Sequence, residues 1–136
     1  MSTATVATAA DPRWMRWTGW IFTVLVVAQL LSSAFFRGTQ HSYAVEEIVT
    51  SYGYPESAIP LIVFAECALV VLYLIPQTSV LAAIVLTGYL GGAVAIHLRA
   101  GNGAFPIVFS LAVGALAWLG LILREPGVLR ALWRSA

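Results

Sequence analysis

The sequence predicts an all-α membrane protein: a four-helix transmembrane bundle with a short amphipathic helix in its first outer loop. Three observations carry this. Apolar residues make up 60% of the chain and charged residues 10%, where soluble domains run at about 45–50% and about 25%. The apolar residues gather into four long runs. The arginines divide unequally between the two ends that those runs define.

The runs set the organisation of the chain. Residues 1–16 read as an N-terminal tail, 17–123 as the membrane domain and 124–136 as a C-terminal tail. The spans fall at about 17–36, 59–75, 80–98 and 105–123. The first and last carry no charge, the second is interrupted only by Glu66 and the third only by His97. A span needs about 20 apolar residues, with about 17 the lower limit. The second run is therefore the weakest. Lipid offers the backbone no hydrogen-bond partners, so these segments must be helical. Ser32-Ser33-Ala34 offers small residues of the kind a signal peptidase cuts. The run before it is long for a signal peptide and no small-residue site follows it, so the first run reads as a span.

Orientation follows from the arginines. Arg13, Arg16, Arg124, Arg130 and Arg134 lie on one side, and only Arg37 and Arg99 on the other. This places both termini in the cytoplasm, with the plasma membrane of a bacterium as the expected location. Trp14, Trp17, Trp20 and Trp133 gather on the cytoplasmic side, as interfacial anchors do.

In the outer loop, "SYAVEEIVTSYGYP" has a helical rhythm. Val45, Ile48, Val49 and Tyr52 fall on one face, with Glu46, Glu47 and Thr50 on the other. Ser42 is placed to cap the start, and Gly53 with Pro55 to end it. In the third span, Gly88 and Gly92 form a Gly-x-x-x-Gly pair, expected to pack closely within the bundle. Gly114 and Gly120, with Ala117 between them, suggest a similar contact on the fourth.

The polar residues cluster by depth. At about 1.5 Å per residue, Glu66 and Gln29 both lie about 10 Å below the outer surface, Ser110 about 8 Å and Tyr89 about 14 Å. His97 and Arg99 sit at the outer rim, and Arg37 at the end of span one. The expectation is a pocket open toward the outer face. Glu66 and His97 are its candidate acid and base, and Arg99, Gln29, Tyr89, Ser110 and Arg37 its candidate binding residues. Either Arg99 or Arg37 has the reach to meet the Glu66 carboxylate. An ionisable group inside a membrane span is a functional-site hypothesis by default. The alternative is a tie between helices. Cys67 is expected to be a small buried apolar residue.

Several function classes are excluded or disfavoured. A net charge of +1, with no basic run or zinc-finger spacing, argues against nucleic acid. One cysteine permits no internal disulfide and no self-contained dithiol chemistry. His41 and His97 show no ligand spacing, so no metal site is predicted. The serine, histidine and glutamate residues are too loosely arranged for a nucleophilic triad. "GNG" at 101–103 reads as a turn.

"GYP" at 53–55, "AECALVVLYLIP" at 65–76, "LTGYLGGAVAIHLRAGN" at 86–102 and "AWLGLILREPGVLRAL" at 117–132 together resemble the DoxX-like family of small membrane proteins. The resemblance covers roughly residues 17–132. It implies a four-helix membrane bundle. The wider group is associated with a thiosulfate:quinone oxidoreductase subunit and with membrane oxidoreductase complexes. The glutamate after the Gly-Tyr-Pro turn and the His-x-Arg closing span three match its pattern, here Glu66, His97 and Arg99.

Three functions compete. The first is a redox-associated subunit that handles a quinone or another lipophilic small molecule in the outer pocket. It would need a membrane or soluble redox partner, since the chain has no cofactor motif of its own. The second is a cofactor-free acid–base enzyme on a lipophilic substrate: an isomerase, cyclase or hydrolase. The third is a non-enzymatic assembly or scaffold protein.

Overall fold

The computed structural model describes residues 13–134. Residues 1–12, most of the predicted N-terminal tail, and residues 135–136 lie outside the described residues. The elements are α1 (Arg13–Thr39), α2 (His41–Ala44) running into a π-helical turn (Val45–Ser51), α3 (Ala58–Leu74), α4 (Ser79–Ala100), α5 (Ala104–Arg124) and α6 (Pro126–Arg134). No strand occurs among the described residues.

α1, α4 and α5 are each long and apolar enough to cross a membrane. α3 is equally apolar but has 17 residues, the lower limit for a span. Pro76 follows it closely and cannot continue a helix. The exposed faces are greasy: Leu25, Phe35, Leu61, Phe64, Leu81 and Leu111 all point away from the protein. Only a narrow stripe of each helix faces inward. On α1 it is Gly19, Thr23, Val26, Leu30 and Ala34, at the three-and-four spacing of one helical face.

α1 packs against α3 and α5, and α4 against α5 and α3, so the four long helices close a ring. The tightest crossing joins α1 to α5. A Cβ added to Gly19 would lie 2.6 Å from the Arg124 backbone nitrogen, and one at Gly120 3.2 Å from Gly19 O. Gly120 therefore makes the close contact expected of it. Gly88, Gly91 and Gly92 do not, because an added Cβ at any of them meets nothing within 4 Å. The Gly-x-x-x-Gly pair faces an open groove rather than a neighbouring backbone, which corrects the expected packing.

The interior has two apolar centres. One, running from mid-bundle toward the α3–α4 turn, contains Leu30, Leu69, Tyr73, Leu86, Val113 and Leu121. The other, under the 40–57 connection, contains Ala44, Ile48, Tyr52 and Ile59. Glu66 lies between them on α3.

The connecting loop is helical from His41 to Ser51, and most of it is wound with the wider i→i+5 repeat. Tyr52 N donates to Glu47 O at 3.1 Å, and Ser51 Oγ to Glu46 O at 3.0 Å. Ala44, Ile48 and Tyr52 fill the inner face. Val49, assigned to that face by an α-helical count, is only half-buried, and Glu47 is drawn toward the bundle.

Three further points differ from the sequence reading. Cys67 is exposed, not buried, because Glu66 beside it holds the inward position. Arg124, the first residue of the predicted C-terminal tail, is packed against the bundle. It ends α5, is buried at 6% exposure, and lies over the rings of Trp20 and Tyr73. The residues after it form α6, which starts at Pro126, a residue favoured in a first helical turn.

Candidate functional site

Glu66, Leu69, Val70 and Tyr73 occupy the inward face of α3. Their spacing forces the glutamate into the core with its apolar neighbours. Glu66 is 2% exposed. A carboxylate so placed needs donors, and α1 and α4 supply them. Oε1 accepts from Arg37 Nη1 at 2.6 Å, Tyr89 Oη at 2.7 Å and Ser33 Oγ at 2.9 Å. Ser33 and Arg37 are one turn apart on α1, so both reach the same oxygen. Arg37 Nη1 also donates to Ser33 Oγ. No donor among the described residues reaches Oε2.

The other side of Arg37 holds the loop. Nε donates to Glu47 Oε2 at 3.1 Å and Nη2 to Glu47 Oε1 at 3.4 Å, the two-pronged geometry that favours arginine over lysine. Tyr52 Oη donates to Glu47 Oε1 at 3.4 Å. Burial, then the negative charge of Glu47, pushes the Tyr52 phenol up to about 12, so it keeps its proton at neutral pH. One guanidinium thus bridges two carboxylates and joins α1, α3 and the π-helical turn. Removing one member of a buried ionic network costs about 3–5 kcal/mol, because the others lose their compensation.

A cavity of about 340 Å³ opens beside this network, within the range of small-ligand pockets. Gln29, Leu30 and Phe36 of α1, Leu90 and Ala93 of α4, and Phe105, Phe109, Ser110 and Val113 of α5 line it, together with Glu66. A second, more apolar groove of about 440 Å³ lies against α3 and α4, over Leu61, Ile62, Gly88 and Gly92. Arg37, Tyr89, Ala93 and His97 border both.

The structure gathers six of the seven predicted residues at the cavity: Glu66, Arg37, Tyr89, Gln29, Ser110 and His97. Of the two arginines able to reach the carboxylate, Arg37 does. Arg99 is exposed, donates to Tyr52 O at 3.0 Å, and does not line the cavity. His97 Nδ1 lies 3.2 Å from Asn102 Nδ2 and 3.5 Å from Tyr52 Oη. It makes no hydrogen bond to Glu66, whose hydroxyl neighbours are Tyr89 and Ser33. The sequence reading missed Ser33, Glu47 and Tyr52 as members of the network. Ser33 had a usable signal in its four-residue spacing from Arg37. Glu47 had none, since an α-helical count sends it to the opposite face.

A family model, the DoxX-like family, matches residues 21–120. No curated protein and no solved structure matches the chain.

Proposed function

The chain belongs to the DoxX-like family, and on that premise we propose that it is a four-span membrane protein whose pocket at Glu66 binds a lipophilic small molecule. A quinone or quinol is the first candidate, handled alongside a redox partner that carries the electrons. α3 completes the set of spans, and α2 with the π-helical turn covers the mouth of the pocket on the outer side. Both termini are cytoplasmic in this reading, which the arginine distribution supports.

The observation that carries the proposal is the unequal use of Glu66. Its Oε1 is saturated, while its Oε2 has no donor among the described residues, in a residue 2% exposed that lines the cavity. A carboxylate serving only as a helix tie would use both oxygens, since an unsatisfied buried acceptor is costly. The apolar wall from Phe105 to Val113 suits a hydrophobic body, and the carboxylate suits a polar head.

A second reading rests on Tyr89. Its hydroxyl and the Glu66 carboxylate stand 2.7 Å apart, within reach for proton transfer. A cofactor-free acid–base enzyme would use this pair rather than Glu66 with His97.

The test is thermal stability of the purified protein in mild detergent, with and without a panel of short-tailed quinones, quinols and alkylphenols. A ligand of the native state raises the melting temperature. Wild type responds to at least one compound. Ala93→Phe, which fills the cavity, stays folded and responds to none. A panel without effect on wild type contradicts the pocket reading.

A further inference from the structure

We infer that the pocket selects ligands with a hydrogen-bond-donating head, a hydroxyl or N–H, over those that offer only carbonyl or ether oxygens. This rests on the pocket reading above and narrows it to one chemical class.

The polar wall groups more than nine-tenths buried are Glu66 and Ser110. Glu66 presents Oε2, an acceptor that no described residue serves. Ser110 Oγ donates to Pro106 O at 2.9 Å, so only its lone pairs remain for a ligand. The other hydroxyls near the carboxylate are spent in the same way. Ser33 and Tyr89 both donate to Glu66 Oε1, and Ser32 Oγ donates to Gln29 O at 2.9 Å.

The cationic side offers little. Arg37 has five N–H groups, and four are engaged by Glu47, Glu66 and Ser33. One N–H of the five is left, and the rest of the guanidinium serves the two carboxylates and Ser33. Gln29 also lines the cavity with an amide that both donates and accepts, so the excess of acceptors lies at the buried Glu66 Oε2 and Ser110 Oγ. A hydroxyl there satisfies Oε2. A carbonyl or ether oxygen in its place meets lone pairs, and the buried oxygen stays unpaired.

The apolar surroundings indicate the rest of the ligand. The rings of Phe105 and Phe109 stack with centroids 6.0 Å apart along one wall, which suits an aromatic or long aliphatic body. Alkylphenols and benzoquinols combine both features.

The experiment compares matched pairs on the wild-type protein in detergent: 4-nonylphenol against its methyl ether, and a short-tailed benzoquinol, kept reduced without oxygen, against its quinone. Binding is read by thermal shift and by titration calorimetry. The donor member of each pair is expected to bind about tenfold more tightly or better, as sites that hydrogen-bond a hydroxyl reject analogues lacking it. Leu111→Ala, on the outward face of α5 away from the cavity, keeps the preference. In Glu66→Gln the side-chain amide both donates and accepts, and the preference narrows to about twofold or less. Equal or tighter binding of the ether and the quinone, blocked by Ala93→Phe, overturns the donor inference and leaves the pocket standing. No binding by any of the four compounds overturns both.

Discussion

Arg37 and Glu66 meet at 2.6 Å between α1 and α3, and the same guanidinium grips Glu47 in the 40–57 connection. A single side chain therefore fixes a buried carboxylate and fastens the helical cover of the bundle. Most of what can be tested follows from this double use.

Arg37→Met strands Glu66 in the core and releases Glu47. It is expected to destabilise by about 3–5 kcal/mol. Adding Glu66→Met removes the buried charge and recovers more than half of the loss. Reversible unfolding in mixed detergent micelles checks both numbers. Additive losses in the double variant would argue against a coupled pair.

Glu47→Gln weakens the hold on the loop but leaves the pair at Glu66. The expected outcome is faster amide hydrogen exchange across residues 41–52, with little change in α1 or α3. Tyr52→Phe, which removes the 3.4 Å bond to Glu47 and the 3.5 Å contact with His97, has a smaller effect of about 0.5–1.5 kcal/mol.

Tyr52 also supplies a pH signature. Its phenol is raised from an ordinary 10.0 to about 12 by burial and by Glu47. A raised acid favours the folded state while it is protonated. The contribution is fully present below about pH 10 and is lost as the pH rises through about 12. Tyrosinate absorbance of wild type minus Tyr52→Phe should show a component rising only near pH 12. A component titrating near 10 contradicts the buried hydrogen bond.

The glycines separate two kinds of small residue. Gly19→Ala drives a methyl to 2.6 Å from the Arg124 backbone nitrogen and should cost about 1–3 kcal/mol or more through overpacking. Gly88→Ala and Gly92→Ala meet open space and should be neutral or slightly stabilising, since alanine favours a helix over glycine. Comparison of the three melting temperatures decides the matter.

The sequence made the long helices legible because apolar runs, prolines and the GNG turn mark their limits. α3 was the weakest of the four runs, and at 17 residues it remains the shortest of the long helices. The pocket was legible as a depth: Gln29, Glu66, Tyr89 and Ser110 were placed together by counting rises along antiparallel helices. What escaped depended on rotation about the axis. The π-helical turn moves Glu47 inward where an α-helical count turns it out. Cys67 and Gly92 depend on which face of a nearly uniform apolar helix turns inward, and such a helix carries little periodicity to say so.

The central claim is that a lipophilic molecule occupies the cavity at Glu66. A photoactivatable alkylphenol, bound to the protein in membranes and mapped by mass spectrometry, tests this most directly. Labelling is expected on the α4 and α5 wall, at Leu90, Phe109 and Val113, suppressed by excess unlabelled alkylphenol and abolished by Ala93→Phe. Labelling confined to outward residues such as Leu81 and Leu111, unaffected by competitor, would contradict it.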